Sequence, residues 1–134
     1  MSKNIELYKT LPDDEFTFFI DLRGNVTNTH YRGEFKCKIP RVKTHLEIDK
    51  HRAFLCGDML DFLQPATIII YKMVSYLRFT LKQYPEWWQN SDLGLELYDS
   101  NIIEELYEQV LKLEGEWLDA AYPDRKKLNE TAGV

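Results

Sequence analysis

Glu15-Phe16-Thr17-Phe18-Phe19-Ile20-Asp21-Leu22-Arg23 is the stretch whose period decides the fold class. Phe16, Phe18, Ile20 and Leu22 share one face, and Thr17, Phe19, Asp21 and Arg23 share the other. A period of two is the mark of a half-buried β-strand. Gly24-Asn25 opens a break that runs through Thr27-Asn28, and Gly and Asn tolerate the positive φ of a turn. A second alternating run extends from His30 to Ile39. Tyr31, Phe35, Cys37 and Ile39 face one way, and Arg32, Glu34, Lys36 and Lys38 face the other. Gly33 falls on the apolar side, as at a bulge or a close backbone approach. Residues 15–39 therefore predict an antiparallel β-hairpin. A lone hairpin is marginal in water, so its apolar face needs a cover.

The cover lies downstream, where the period becomes helical. Pro40 closes the strand. Thr44 and Glu47 stand at capping-box spacing, and Gly57 suits a C-cap, which predicts a helix over 45–57. Residues 58–64 read as a connection. Pro65 fits the first turn of a helix over 65–84 that is apolar on nearly every side. Lys72, Arg78 and Lys82 interrupt it, so a membrane span is not expected. In a chain of 134 residues, a subunit contact is a natural cover for whatever the fold leaves open.

Tyr84-Pro85-Glu86-Trp87-Trp88 follows, then the turn Ser91-Asp92-Leu93-Gly94. A last helix is predicted over 101–121, with Asn101 and Glu104 at capping-box spacing. Ile103, Leu106, Val110, Leu113, Trp117 and Ala120 form its apolar stripe, and Glu104, Glu105, Glu108, Glu114 and Glu116 decorate the rest. The expected organisation is a polar leader over 1–14, one α+β domain over 15–122 and a mobile tail over 123–134. The domain is an N-terminal antiparallel β-hairpin followed by a bundle of about three α-helices.

Composition narrows the function class. The net charge of −5 argues against a nucleic-acid partner, because phosphate contacts need concentrated positive charge. Lys36, Lys38, Arg41, Lys43 and Lys50 lie close in sequence, as do Arg125, Lys126 and Lys127, and both groups read as solvated surface. The first ten residues lack a signal-peptide core, so a reducing cytoplasmic setting and two free thiols, Cys37 and Cys56, are expected. His30, His45 and His51 form no i,i+4 pair and have no Cys-x-x-Cys companion, so neither metal nor cofactor is expected.

No phosphate loop or nucleophile motif is present. Asp58 and Asp61 flank Met59-Leu60 as a solvated pair, with nothing to set their pKa values apart. Cys56 sits at a helix C-terminus, where the dipole opposes thiolate formation. The chain is expected to be a binding protein, not an enzyme. Its candidate contact residues are Ile69, Met73, Tyr76 and Leu77 of the apolar helix, Trp87 and Trp88 after it, and Trp117 of the last helix. For the tryptophan pair two roles stay open, a core anchor and an interface anchor.

The order of these features resembles small proteins of tailed bacteriophages, especially tail assembly chaperones. The likeness spans residues 15–121. It is carried by Tyr31-Arg32-Gly33-Glu34-Phe35-Lys36-Cys37-Lys38, by Pro85-Glu86-Trp87-Trp88 and by Ser91-Asp92-Leu93-Gly94-Leu95 ahead of an acidic helix. The resemblance implies a non-enzymatic factor that self-associates, keeps the tape-measure protein soluble and recruits the major tail protein in the bacterial host cytoplasm. The alternatives are a structural virion component of neck, head or tail, and a small regulator of a host enzyme.

Overall fold

The computed structural model describes residues 11–123. Strand β1, Glu15–Arg23, pairs antiparallel with β2, His30–Lys38, in an unbroken register from Glu15 opposite Lys38 to Arg23 opposite His30. Helix α1, Val42–Cys56, follows. A 3-10 turn, Leu60–Phe62, leads into α2, Pro65–Thr80. The chain then returns to the sheet as β3, Leu81–Gln83, which pairs with β2. Short helix α3, Glu86–Asn90, and long helix α4, Ser100–Ala121, complete the fold. The expected α+β class and N-terminal hairpin are present, with β2 at the centre of a three-stranded antiparallel sheet.

One face of the sheet builds the core. Ile20, Phe35 and Cys37 meet Val74, Leu77 and Leu81 from the α2–β3 segment, Trp88 from α3, and Ile102, Ile103, Leu106 and Val110 from α4. The opposite face is wet. There Asp21 bonds His30 and lies 3.4 Å from Arg32, and Lys36 lies 3.1 Å from Glu15. Two of the three Lys and Arg residues on that face of β2 are thus matched by β1 acids.

Several boundaries differ from the sequence expectation. The first helix starts at Val42 rather than residue 45, as soon as the chain clears Pro40, so Thr44 lies inside it and the Thr44–Glu47 capping box is not formed. Its other end is as expected: Gly57 has φ 56° and its N–H reaches Ala53 O at 2.8 Å. The apolar helix stops at Thr80, four residues early. Leu81 is needed in the core beside Cys37 on β2, and Pro85 disfavours helix in the residue before it. The Trp87-Trp88 segment is itself a turn of helix.

The capping box of the last helix is not formed either. Asp99 is its N-cap residue but makes no side-chain cap bond. Its carboxylate holds the β1–β2 turn instead. Oδ1 accepts the Val26 and Thr27 amides, both at 2.7 Å, and Oδ2 accepts the Thr27 hydroxyl at 2.6 Å and the Tyr31 hydroxyl at 2.7 Å. Asn101 adds two bonds at 2.9 Å, accepting from the Asn25 amide and donating to Arg23 O. Burial alone would raise the Asp99 carboxyl, but the bonds from Thr27, Tyr31 and Val26 outweigh it and hold it at about 2.

The stretch of the expected leader that is described is tied down. Asp14 O accepts the Ile39 amide at 2.8 Å, and Pro12 O accepts the Trp117 indole N–H at 3.2 Å. The rest of the leader, and the expected tail from residue 124, lie outside the described residues. No helix among the described residues is long and apolar enough to cross a membrane.

Candidate interaction surface

The two segments Tyr31-x-Gly33-x-Phe35 and Pro85-x-Trp87-Trp88 meet in space. β3 pairs only with the C-terminal end of β2, which leaves the rest of that edge of β2 without a strand. The Pro85–Trp88 segment closes it. Pro85 lies on Gly33 so tightly that a Cβ there would stand 2.6 Å from Cγ of the proline. The Trp87 indole N–H donates to Arg32 O at 2.8 Å, taking the place of a ladder bond. Its ring lies 5.0 Å from Tyr31 and 5.8 Å from Phe35.

Trp88 goes the other way. It is 0% exposed and meets Phe35 edge-on at 6.3 Å. Its Nε1 has no hydrogen-bond partner among the described residues. Gly94, at φ 98°, makes room for it, since a Cβ there would stand 2.6 Å from Cη2 of the indole. Trp87 is thus an edge cap and Trp88 a core anchor.

The remaining candidates divide along α2. Val74, Ser75, Tyr76, Leu77 and Thr80, in its second half, are buried, and Leu77 is 0% exposed. The Tyr76 hydroxyl donates to the Glu114 carboxylate, and burial together with that carboxylate pushes the Tyr76 pKa up. Nothing before Val74 is buried: Met73 is half-covered and Ile69 is 51% exposed. Trp117 is half-buried beside Pro12. Of the sequence candidates, Ile69 offers most surface to a partner, Met73, Trp87 and Trp117 offer part of theirs, and Tyr76, Leu77 and Trp88 serve the core.

α1 packs mainly on α2 and little on the rest of the fold. Ile48 and Cys56 are its only buried residues, and the His51 Nδ1 meets the Ser75 hydroxyl at 2.9 Å across the helix pair. The two helices with their connection form an arm. Its outer surface carries Val42, Leu46, Phe54, Met59, Leu60, Phe62 and Ile69, all exposed, with Phe54 at 80% and Phe62 at 76%. At roughly 150–200 Å² per fully exposed large side chain, the exposed parts of these seven add up to about 800 Å² of apolar area in all.

Sequence reasoning passed over six of these seven residues. Leu46 and Phe54 fell in the expected helix over 45–57 with no contact role assigned, and Met59, Leu60 and Phe62 fell in the expected connection over 58–64. The available signal was the linker's composition, which is too apolar for a solvated connection.

Chemistry has less to work with. A groove of ≈ 330 Å³ lined by Glu34, Phe35, Lys36, Gln83, Tyr84 and Pro85 opens beside β3. Neither Glu34 nor Lys36 has a partner there poised for acid–base work. Cys37 and Cys56 are buried and free, and burial pushes the Cys37 thiol up to about 11, away from reactivity. Asp58 and Asp61 are exposed. Among the described residues no group of three or more His, Cys, Asp or Glu side chains could hold a metal ion. No protein-family model, curated protein or solved structure matches the chain.

Proposed function

We propose that the chain is a phage tail assembly chaperone, a non-enzymatic factor that binds the tape-measure and major tail proteins while the tail is built. The observation that carries this reading is the arm: seven exposed apolar side chains, about 800 Å² of apolar area in all, are a liability in water and suit a protein that covers apolar partners. The resemblance lends support from a separate quarter. Its two motifs, Tyr31-x-Gly33-x-Phe35 and Pro85-x-Trp87-Trp88, pack against each other, so they act as one unit that sets the fold. A chaperone of this kind needs no catalytic residue, only exposed contact area on a stable frame.

Co-expression with the tape-measure protein of the same phage tests the proposal. The chaperone is expected to raise the soluble fraction of that protein and to co-purify with it. Phe54→Ser with Phe62→Ser is expected to reduce both effects. A tape-measure protein whose solubility is unchanged by the wild-type chain would sink the reading. Mass spectrometry of purified particles separates the neighbouring possibility, because a stoichiometric amount in the virion would make the chain a structural component.

A further inference from the structure

The outer edge of β1 is a row of main-chain groups with nothing across from it. Asp14 O accepts the Ile39 amide and the Gly24 amide donates to Thr29 O, so the even-numbered residues of this strand turn their main-chain groups toward β2. In an antiparallel ladder the residues between them turn theirs outward. The sheet order leaves β1 at an edge, with no strand beyond it among the described residues. Both ends of the outward row are already used. The Glu15 amide donates to the Asp13 carboxylate at 3.2 Å, and Arg23 O accepts from Asn101 at 2.9 Å. Between them, the amides and carbonyls of Thr17, Phe19 and Asp21 have no partner among the described residues.

The side chains of this edge are open as well. Phe16, Phe18 and Leu22 face the core yet are only half-buried, whereas Ile20 is buried. Phe19, on the wet face, is 56% exposed. Long edge strands are ordinarily blunted by proline, a bulge or lysine. β1 has none of the three: its nine residues keep an unbroken register and include neither Pro nor Lys. A strand laid along it would bond the free groups, cover the three core-facing side chains with apolar residues of its own and set a side chain beside Phe19.

Charge selects the strand. α4 packs on β1 and carries six acids against one base, Lys112. Glu104, Glu108, Glu116 and Asp119 are exposed. Antiparallel pairing of β1 with β1 of a second copy would keep the two α4 helices on the same face of the joined sheet, acidic helix beside acidic helix. A basic strand meets attraction there instead.

We infer that the β1 edge is a binding site for an extended, basic, amphipathic segment of another protein, which adds beyond β1 as an antiparallel fourth strand. Its alternate residues are apolar toward α4 and mainly Lys or Arg on the wet face. An acid is the matching residue opposite Arg23, whose guanidinium donates to Asn28 O and forms no salt bridge among the described residues. This site is separate from the arm and stands whether or not the chaperone reading holds.

A capped peptide, Glu-Val-Lys-Val-Tyr-Val-Lys-Val-Lys, is the probe. A dye-labelled form is titrated with the full chain by fluorescence polarisation, beside a form N-methylated at its third, fifth and seventh residues, whose amides would point at β1. The parent peptide is expected to bind with Kd below roughly 100 µM and the N-methylated form at least about tenfold more weakly. Raising the salt to about 0.5 M is expected to weaken the parent severalfold. In NMR hydrogen exchange, the Thr17, Phe19 and Asp21 amides are expected to slow only when the peptide is bound. A parent peptide that fails to bind at about 1 mM, or binds as well when N-methylated, overturns the proposal. Protection of those three amides before peptide is added overturns it too. Protection at every concentration would mean that the chain covers its own edge, and protection that grows with concentration would mean that a second copy does. None of these outcomes bears on the arm, which Phe54→Ser with Phe62→Ser tests separately.

Discussion

A Cβ on Gly24 would stand 2.1 Å from Cγ of Asp99, because the carboxylate reaches across from the start of α4 into the β1–β2 turn. Glycine is therefore needed there for close approach. Gly24→Ala would force the carboxylate out of a pocket where it accepts four hydrogen bonds. Residues in direct contact are not additive. In a double-mutant cycle followed by thermal melting, Gly24→Ala is expected to lower Tm strongly in the wild type and much less in an Asp99→Ala background. Equal costs in the two backgrounds would show that the two residues are not coupled.

The same carboxylate gives a dependence on pH. Asp99 is held at about 2, below its ordinary 3.8. Its folded pKa is depressed, so its contribution is complete above pH 3.8 and is lost as pH falls toward 2. Wild-type stability is expected to decline over that window, and Asp99→Asn to decline less steeply after a lower start. Part of the slope persists in the variant, because hydrogen bonding to His30 also lowers Asp21. Denaturant midpoints measured down the acid range report the difference.

His51 acts at a milder pH. Burial first, then the Arg78 guanidinium, lower its pKa below the ordinary 6.5, and Asp92 pulls the other way. The folded arm thus favours the neutral ring bonded to Ser75. The depressed value means that this stability is present above pH 6.5 and is lost as pH falls. Hydrogen exchange of α1 amides is expected to accelerate between about pH 7 and pH 5 beyond its intrinsic pH trend. His51→Gln should flatten that excess.

How far the fold was legible depends on the range of each signal. The hairpin could be read because Phe16, Phe18, Ile20 and Leu22 repeat locally, and a period survives whatever packs on it. The end of α2 could not, because an apolar Leu81 satisfies a helix and a strand alike and only its place beside Cys37 decides. Asn101 looked like a cap residue, yet it and Asp99 are spent on a turn more than 70 positions away, which no local spacing announces. The tryptophan pair was read as two open roles, and the edge of β2 assigned them.

That assignment separates two tryptophans adjacent in sequence. Trp88→Ala would empty a fully buried site and is expected to cost about 3–5 kcal/mol. Trp88→Phe should cost clearly less, since the indole N–H it removes has no partner among the described residues. At Trp87 the N–H matters, because it satisfies Arg32 O. Trp87→Phe should cost about 1 kcal/mol from the lost bond, and expose the edge of β2. Urea titrations of the four variants, Trp87→Ala included, would rank them.

Phe54 and Phe62 provide the contrast to these core sites. At 80% and 76% exposed they bury little within the chain, so replacing both with Ser should change the stability of the dilute protein by no more than about 0.5 kcal/mol. On the proposed reading their effect is on association. A protein that self-associates only when folded melts at a temperature that rises with its concentration. The wild type is expected to show that rise over a hundredfold dilution series, and the double variant to lose it while keeping the dilute-limit Tm. The binding of an apolar dye such as ANS should fall in parallel, because the largest exposed rings of the arm are gone. A lower Tm for the variant at every concentration would mean that the two phenylalanines stabilise the subunit itself, and the arm would then be part of the core rather than its contact surface.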